Sequence, residues 1–168
     1  MDNLWPKIET SQLKTPVAIL KEQASLLGAN TQNLVTAEVD SLPIYDTKIP
    51  EKTNSLPQVL NQMNSIVFGT KSFHPSAIFR FAFHLVAPAL NHYRYQLFFI
   101  GYGIDFYPVF FRLDSDIQNE LVADEEQDVI ANTEEEFLAI LKAIFNSEKT
   151  LRVMRAILAQ SQNIPESI

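Results

Sequence analysis

Between Ile78 and Leu113 large apolar and aromatic side chains take every second position through two turns, and no other feature restricts the fold as strongly. Phe79, Phe81, Phe83 and Leu85 alternate with Arg80, Ala82, His84 and Val86. Tyr93, Tyr95, Leu97 and Phe99 alternate with His92, Arg94, Gln96 and Phe98, and Tyr107, Val109, Phe111 and Leu113 with Phe106, Pro108, Phe110 and Arg112. A period of two is that of a pleated strand, whose successive side chains point to opposite faces. Ala87-Pro88-Ala89-Leu90-Asn91 and Gly101-Tyr102-Gly103 separate the segments and have turn-forming compositions. The pattern predicts three antiparallel strands, a meander over about 77–113, with the odd-numbered face buried. Pro108 cannot donate to a ladder, so the third strand reads as a sheet edge.

A sheet with one apolar face needs a covering layer, and the rest of the chain supplies candidates. Thr15-Pro16 reads as an N-cap with proline in the first turn, and Gly28 as the left-handed residue ending a helix over about 16–27. Val17, Leu20, Ala24 and Leu27 share its apolar face. From Leu34 to Asp40 the period returns to two, a half-buried strand. Residues 41–56 read as a loop, and 57–67 as a short helix carrying Val59, Leu60 and Met63 at helical spacing. Residues 114–136 hold ten acidic residues and neither Lys nor Arg, which reads as a solvated connection with a short strand over 128–131. Thr133 and Glu136 form a capping box ahead of Phe137, Ile140, Leu141, Ile144 and Phe145. After a break at Asn146-Ser147, a last helix runs over about 148–160. The expected fold class is α+β, in the order α-β-α-βββ-αα, with amphipathic helices over one sheet face.

With 168 residues, 46% of them hydrophobic, and no internal repeat or linker, the chain reads as one globular domain over 1–168. A formal net charge of -7 argues against nucleic acid and against an anionic membrane surface, since both reward clustered Lys and Arg. The absence of cysteine excludes disulfides, thiolate nucleophiles and zinc sites built with sulfur. No stretch approaches the roughly 20 apolar residues that span a bilayer, and the N-terminus lacks a signal-like apolar region. An acidic, soluble, cytoplasmic protein is the expectation.

Motifs for cofactor chemistry are missing. There is no G-x-x-x-x-G-K-[ST], no G-x-G-x-x-G, no G-x-S-x-G and no H-E-x-x-H. His74, His84 and His92 match no metal-ligand spacing, so neither metal nor cofactor is expected.

The even-numbered face of the meander is more informative. Pairing the strands across their turns sets His84, Arg94 and Arg112 side by side, with Arg80 and His92 on the same face. Such a cationic row calls for an anion, either a ligand's carboxylate or phosphate or the chain's own Asp and Glu. The same face carries Phe98, Ile100, Phe106 and Phe110. Exposed, they would form an interface; the alternative is cover by the N-terminal segment with Leu4 and Trp5. These residues favour a non-catalytic interaction or ligand-binding domain, self-associating as a homodimer or bound to a protein partner. The alternative is a small cofactor-independent enzyme acting on an anionic substrate, with His84 or His92 as general base and Arg94 and Arg112 as clamps.

Overall fold

The computed structural model describes residues 2–9, 13–43, 73–124 and 126–164. Among them are four α-helices and a five-stranded antiparallel sheet, so the chain has an α+β fold in the expected element order. The helix expected over 57–67, and most of the 41–56 loop, lie outside the described residues.

The first helix, α1 (Pro16–Asn30), starts as its sequence dictates, with Thr15 Oγ1 accepting from the Ala18 N–H at 3.2 Å. It ends later than expected. Gly28 lies inside the helix, where an added Cβ would stand 2.8 Å from Asn33 Oδ1, so close approach is its role. The left-handed backbone falls instead on Gln32 and Asn33, with φ of 53° and 60°.

Five strands follow in sheet order: β1 (Thr36–Ser41), β2 (Phe79–Ala87), β3 (Tyr93–Tyr102), β4 (Val109–Leu113) and β5 (Ile130–Ala131). Pro108 sits just before β4 rather than within it, and β4 is not an edge, because Val109 pairs with Ala131 and Phe110 with Ile130. That a proline may also precede a strand explains the difference.

The expected register, with His84 beside Arg94 and Arg94 beside Arg112, is displaced in both hairpins, since His84 pairs with Gln96 and Arg112 with Phe99, and within β2–β3 it is broken at one point with large consequences. Phe83 pairs with Phe98 but His84 pairs with Gln96, so Leu97 is an extra residue in β3. Past this bulge the parity of β3 inverts. Phe98, Ile100 and Tyr102 face the same way as Phe83, Val109, Phe111 and Leu113, and all of these lie in the core. Phe99, expected inside with the odd-numbered set, belongs to the opposite face across from Arg112. A one-residue offset has this effect because side chains alternate with a period of two.

The core is aromatic. The Phe83 and Phe98 rings stack at 5.1 Å, and Phe145 packs against both. Phe111 meets Phe137 at 5.5 Å. Three further helices close over this face: α2 (Ser115–Leu121), α3 (Glu134–Phe145) and α4 (Glu148–Gln162). The α2 segment was expected to be a solvated connection, but Asp114 caps it by accepting from Asp116 N–H at 2.9 Å, and Ile117 is fully buried in the core. The cap on α3 is as expected at Thr133, though Glu136 reaches back to the Asn132 N–H at 2.7 Å. Ser147 caps α4, and Glu120 of α2 accepts from the Glu148 N–H at 2.9 Å. Tyr102 bonds with the side chain of Thr15 and the backbone of Val17, which ties the start of α1 to the end of β3.

Candidate functional site

The second sheet face, turned away from this core, carries the cationic residues, and the observed register divides them into two groups. His84 and Arg94 remain neighbours, since Gln96 lies opposite His84 and Val86 opposite Arg94. Arg112 does not join them: it pairs with Phe99, beyond the bulge. His92 leaves the ladder altogether, exposed in the β2–β3 turn with a φ of 54°.

The first group is closed by carboxylates from β1. Glu38 lies opposite His84 and Asp40 opposite Ala82, so both acids point to the second face while Ala37 and Val39 point to the core. Asp40 Oδ2 stands 3.1 Å from His84 Nδ1 and also bonds Arg94 Nη2, while Glu38 Oε2 is 3.0 Å from the same Arg94 nitrogen. Burial and the Arg94 charge hold the His84 pKa below its ordinary value, against the upward pull of Asp40 and Glu38. The anion that this pair of cations requires is thus present in the chain. Asp40 and Glu38 lay in plain view in the β1 alternation, but their pairing with β2 crosses a long stretch of chain and has no local signal.

The second group surrounds Phe73. Arg80 and Arg112 place their guanidinium carbons 5.4 Å and 5.3 Å from the centre of its ring. Phe73 in turn lies on Gly101, where an added Cβ would come within 2.8 Å of the ring, and meets Phe99 edge-on at 6.4 Å. His74 stacks on Phe110 at 4.7 Å with the rings 3° from parallel. Phe73, His74 and Phe110, with Asp128 and Val129, bound a cavity of about 200 Å³ that has Arg112 in its wall. Burial lowers the Arg112 pKa, partly countered by Asp128. Arg112 forms no ion pair among the described residues. Phe73, His74 and Asp128 were not singled out from the sequence, because only the fold brings them to the end of the sheet where Arg112 lies.

The expected apolar interface does not exist in the form the alternation implied. Phe98 and Ile100 are fully buried in the core, Phe106 packs against that core, and Phe110 is covered in part by His74. The inversion at Leu97 is the reason for the first two. Nor does the N-terminal segment cover anything: Leu4 is 92% and Trp5 79% exposed.

Other cavities are bounded by described residues as well. One of about 590 Å³ runs between Glu120–Val122, Gln127–Ile130 and α3. A second, about 360 Å³, lies between α1 and β1. A third, about 430 Å³, is an apolar groove between Leu90, Tyr93 and Tyr95 on one side and Val153, Ala156, Ile157 and Gln160 of α4 on the other. His84 and Arg94 line none of them. Among the described residues no group of His, Asp and Glu is placed to hold a metal ion, and no helix is long and apolar enough to cross a membrane. Compared with known proteins, the chain matches no family model, no curated protein and no solved structure.

Proposed function

We propose that the chain is a non-catalytic binding domain of the cytoplasm that self-associates and takes a small anion at Arg112. The observation that carries the ligand is the cavity at Phe73, His74, Phe110 and Arg112: a partly buried guanidinium, without an ion pair among the described residues, between aromatic walls with the Asp128 carboxylate on one side. A guanidinium in such a place binds carboxylate or phosphate by charge-assisted hydrogen bonds. The site of about 200 Å³ suits an anion the size of phosphate or a small carboxylate. Nucleic acid is not proposed as a partner, given a net charge of -7. Titration calorimetry with inorganic phosphate, citrate and a mononucleotide tests the reading. Arg112→Ala should weaken binding by about 1.5–3 kcal/mol, the scale of a hydrogen bond to a charged group, and Arg94→Ala should leave it unchanged. Absence of binding heat with all three, or equal losses in both variants, would refute the assignment.

The rival reading, catalysis with His84 as base, has one contact in its favour, the Asp40 carboxylate on its Nδ1. The same carboxylate occupies Arg94, leaving that guanidinium engaged where a substrate anion would need it. Binding is therefore the better supported of the two.

A further inference from the structure

The structure leaves two apolar features without partners, and they fit each other. One is the segment Asp2–Glu9, without regular structure, in which Leu4, Trp5 and Ile8 (75%) project into solvent. The other is the groove between the start of β3 and the outer side of α4, lined by Leu90, Tyr93, Tyr95, Val153, Ala156 and Ile157. We propose that the Leu4–Ile8 arm of one chain seats in this groove on a second copy, with Trp5 as its anchor, and that the second arm does the same in return. This deepens the self-association named above and is independent of the anion site.

Size and chemistry suit the match. The groove of about 430 Å³ holds an indole with an aliphatic neighbour. An indole seated in an apolar site needs one acceptor for its N–H, and Gln160 and Tyr93, both in the lining, are side chains that carry one. Pro6 biases Trp5 toward extended backbone, so the side chain is presented on a straight segment. Because Pro6 cannot donate to a ladder, the arm is suited to docking by side chains rather than by adding a strand.

Chain geometry favours a second copy over the arm's own groove. The start of α1 is held at Tyr102, the far end of β3, whereas the groove lies at Tyr93 and Tyr95. At about 3.3 Å per residue these ends are roughly 23–30 Å apart. The ten residues from Trp5 to Thr15 reach at most roughly 33–36 Å, so the arm would have to run nearly straight across its own domain. A neighbour's groove imposes no such demand, and exchange of two identical arms closes a two-fold dimer without leaving either groove open.

Trp5 is the chain's one tryptophan, so its fluorescence reports the arm directly. Emission and light-scattering mass are followed together over a dilution series, for the wild type, Ala156→Glu and Trp5→Asp. The expected result is a rise in mass from 19.1 kDa toward twice that value, with a blue shift of Trp5 emission at the same midpoint. Ala156→Glu should abolish both, and Trp5→Asp the rise in mass, with far-UV circular dichroism unchanged, since both positions are exposed. A dimer whose Trp5 stays water-exposed overturns the arm contact while leaving self-association standing. A monomer with red emission throughout overturns both. A blue-shifted emission that is independent of concentration in a monomer places the arm in its own groove and overturns the exchange.

Discussion

At His84 two opposing influences meet, and their balance fixes how the domain responds to acid. Desolvation and Arg94 disfavour the imidazolium more than Asp40 and Glu38 favour it, so the folded pKa lies below the ordinary 6.5. The unfolded chain then takes up the proton first as the pH drops, and folding stability is whole above about pH 6.5 and declines below it, toward the folded pKa. Thermal unfolding of the wild type should show this decline as the pH falls below about 6.5, and His84→Gln, which cannot titrate, should reduce its slope. Arg94→Ala removes two ion pairs whose side chains are almost half exposed, so a loss of about 1 kcal/mol or less is expected in urea denaturation. Gly101 is the more sensitive position. A methyl group there meets the Phe73 ring at 2.8 Å and Ala77 Cβ at 2.9 Å, and Gly101→Ala should cost about 1–3 kcal/mol in the same measurement as Phe73 is displaced.

The β3 strand decides which aromatic side chains form the core. On alternation alone Phe81, Tyr95, Leu97 and Phe99 would be equivalent interior positions. The bulge at Leu97 instead sends Phe98 and Ile100 inward, while Phe81, on the same side of β2 as Phe83, is only partly buried beside Tyr102. Phe98→Ala should therefore destabilise by about 3–5 kcal/mol, the range for a fully buried phenylalanine, and Phe81→Ala by distinctly less. Chemical denaturation of the two variants, side by side, checks this; equal losses would contradict the inverted register. Among the helices, α2 shows how little a seven-residue element announces itself. One buried Ile117 and an Asp114 cap suffice for it in the fold, but in sequence they are lost among ten acidic residues.

For the whole molecule, the central fact is that α1, α2, α3 and α4 contribute to the same core as the sheet, through Leu20, Ile117, Phe137 and Ile157 among others. No described helix has a core of its own. Unfolding should then be one cooperative event, with far-UV and aromatic near-UV circular dichroism giving coincident transitions in urea; separate midpoints would divide the chain into independent units. The charge distribution acts on the same scale. Lys149 takes Asp116 at 2.9 Å and lies 3.9 Å from Asp114, which raises its own pKa and lowers that of Asp116, and Arg152 lies 3.7 Å from Asp116, so the acidic stretch is fastened to α4 at two cations.

The sequence by itself determined which segments are strands and which are the longer helices, because periods of two and 3.6 and caps such as Thr15 and Thr133 act through neighbours only a few residues apart. It determined the adjacency of β2, β3 and β4 too, since short turns leave consecutive strands adjacent, but not the place of β1, which a long stretch of chain separates from β2. Tertiary structure alone decided the register. A bulge inserts one residue without altering the local alternation on either side of it, so Tyr95 and Phe98 look like opposite faces in sequence and share the core in the fold. The same non-local choice dispersed the expected cationic row. His84 and Arg94 meet Asp40 and Glu38 across more than forty residues of chain, while Arg112 meets Phe73 and shares a cavity with His74, and no spacing in the sequence encodes either encounter. Side chains on different elements become neighbours only when packing fixes how those elements are aligned, and that alignment is settled by the fit of the whole core.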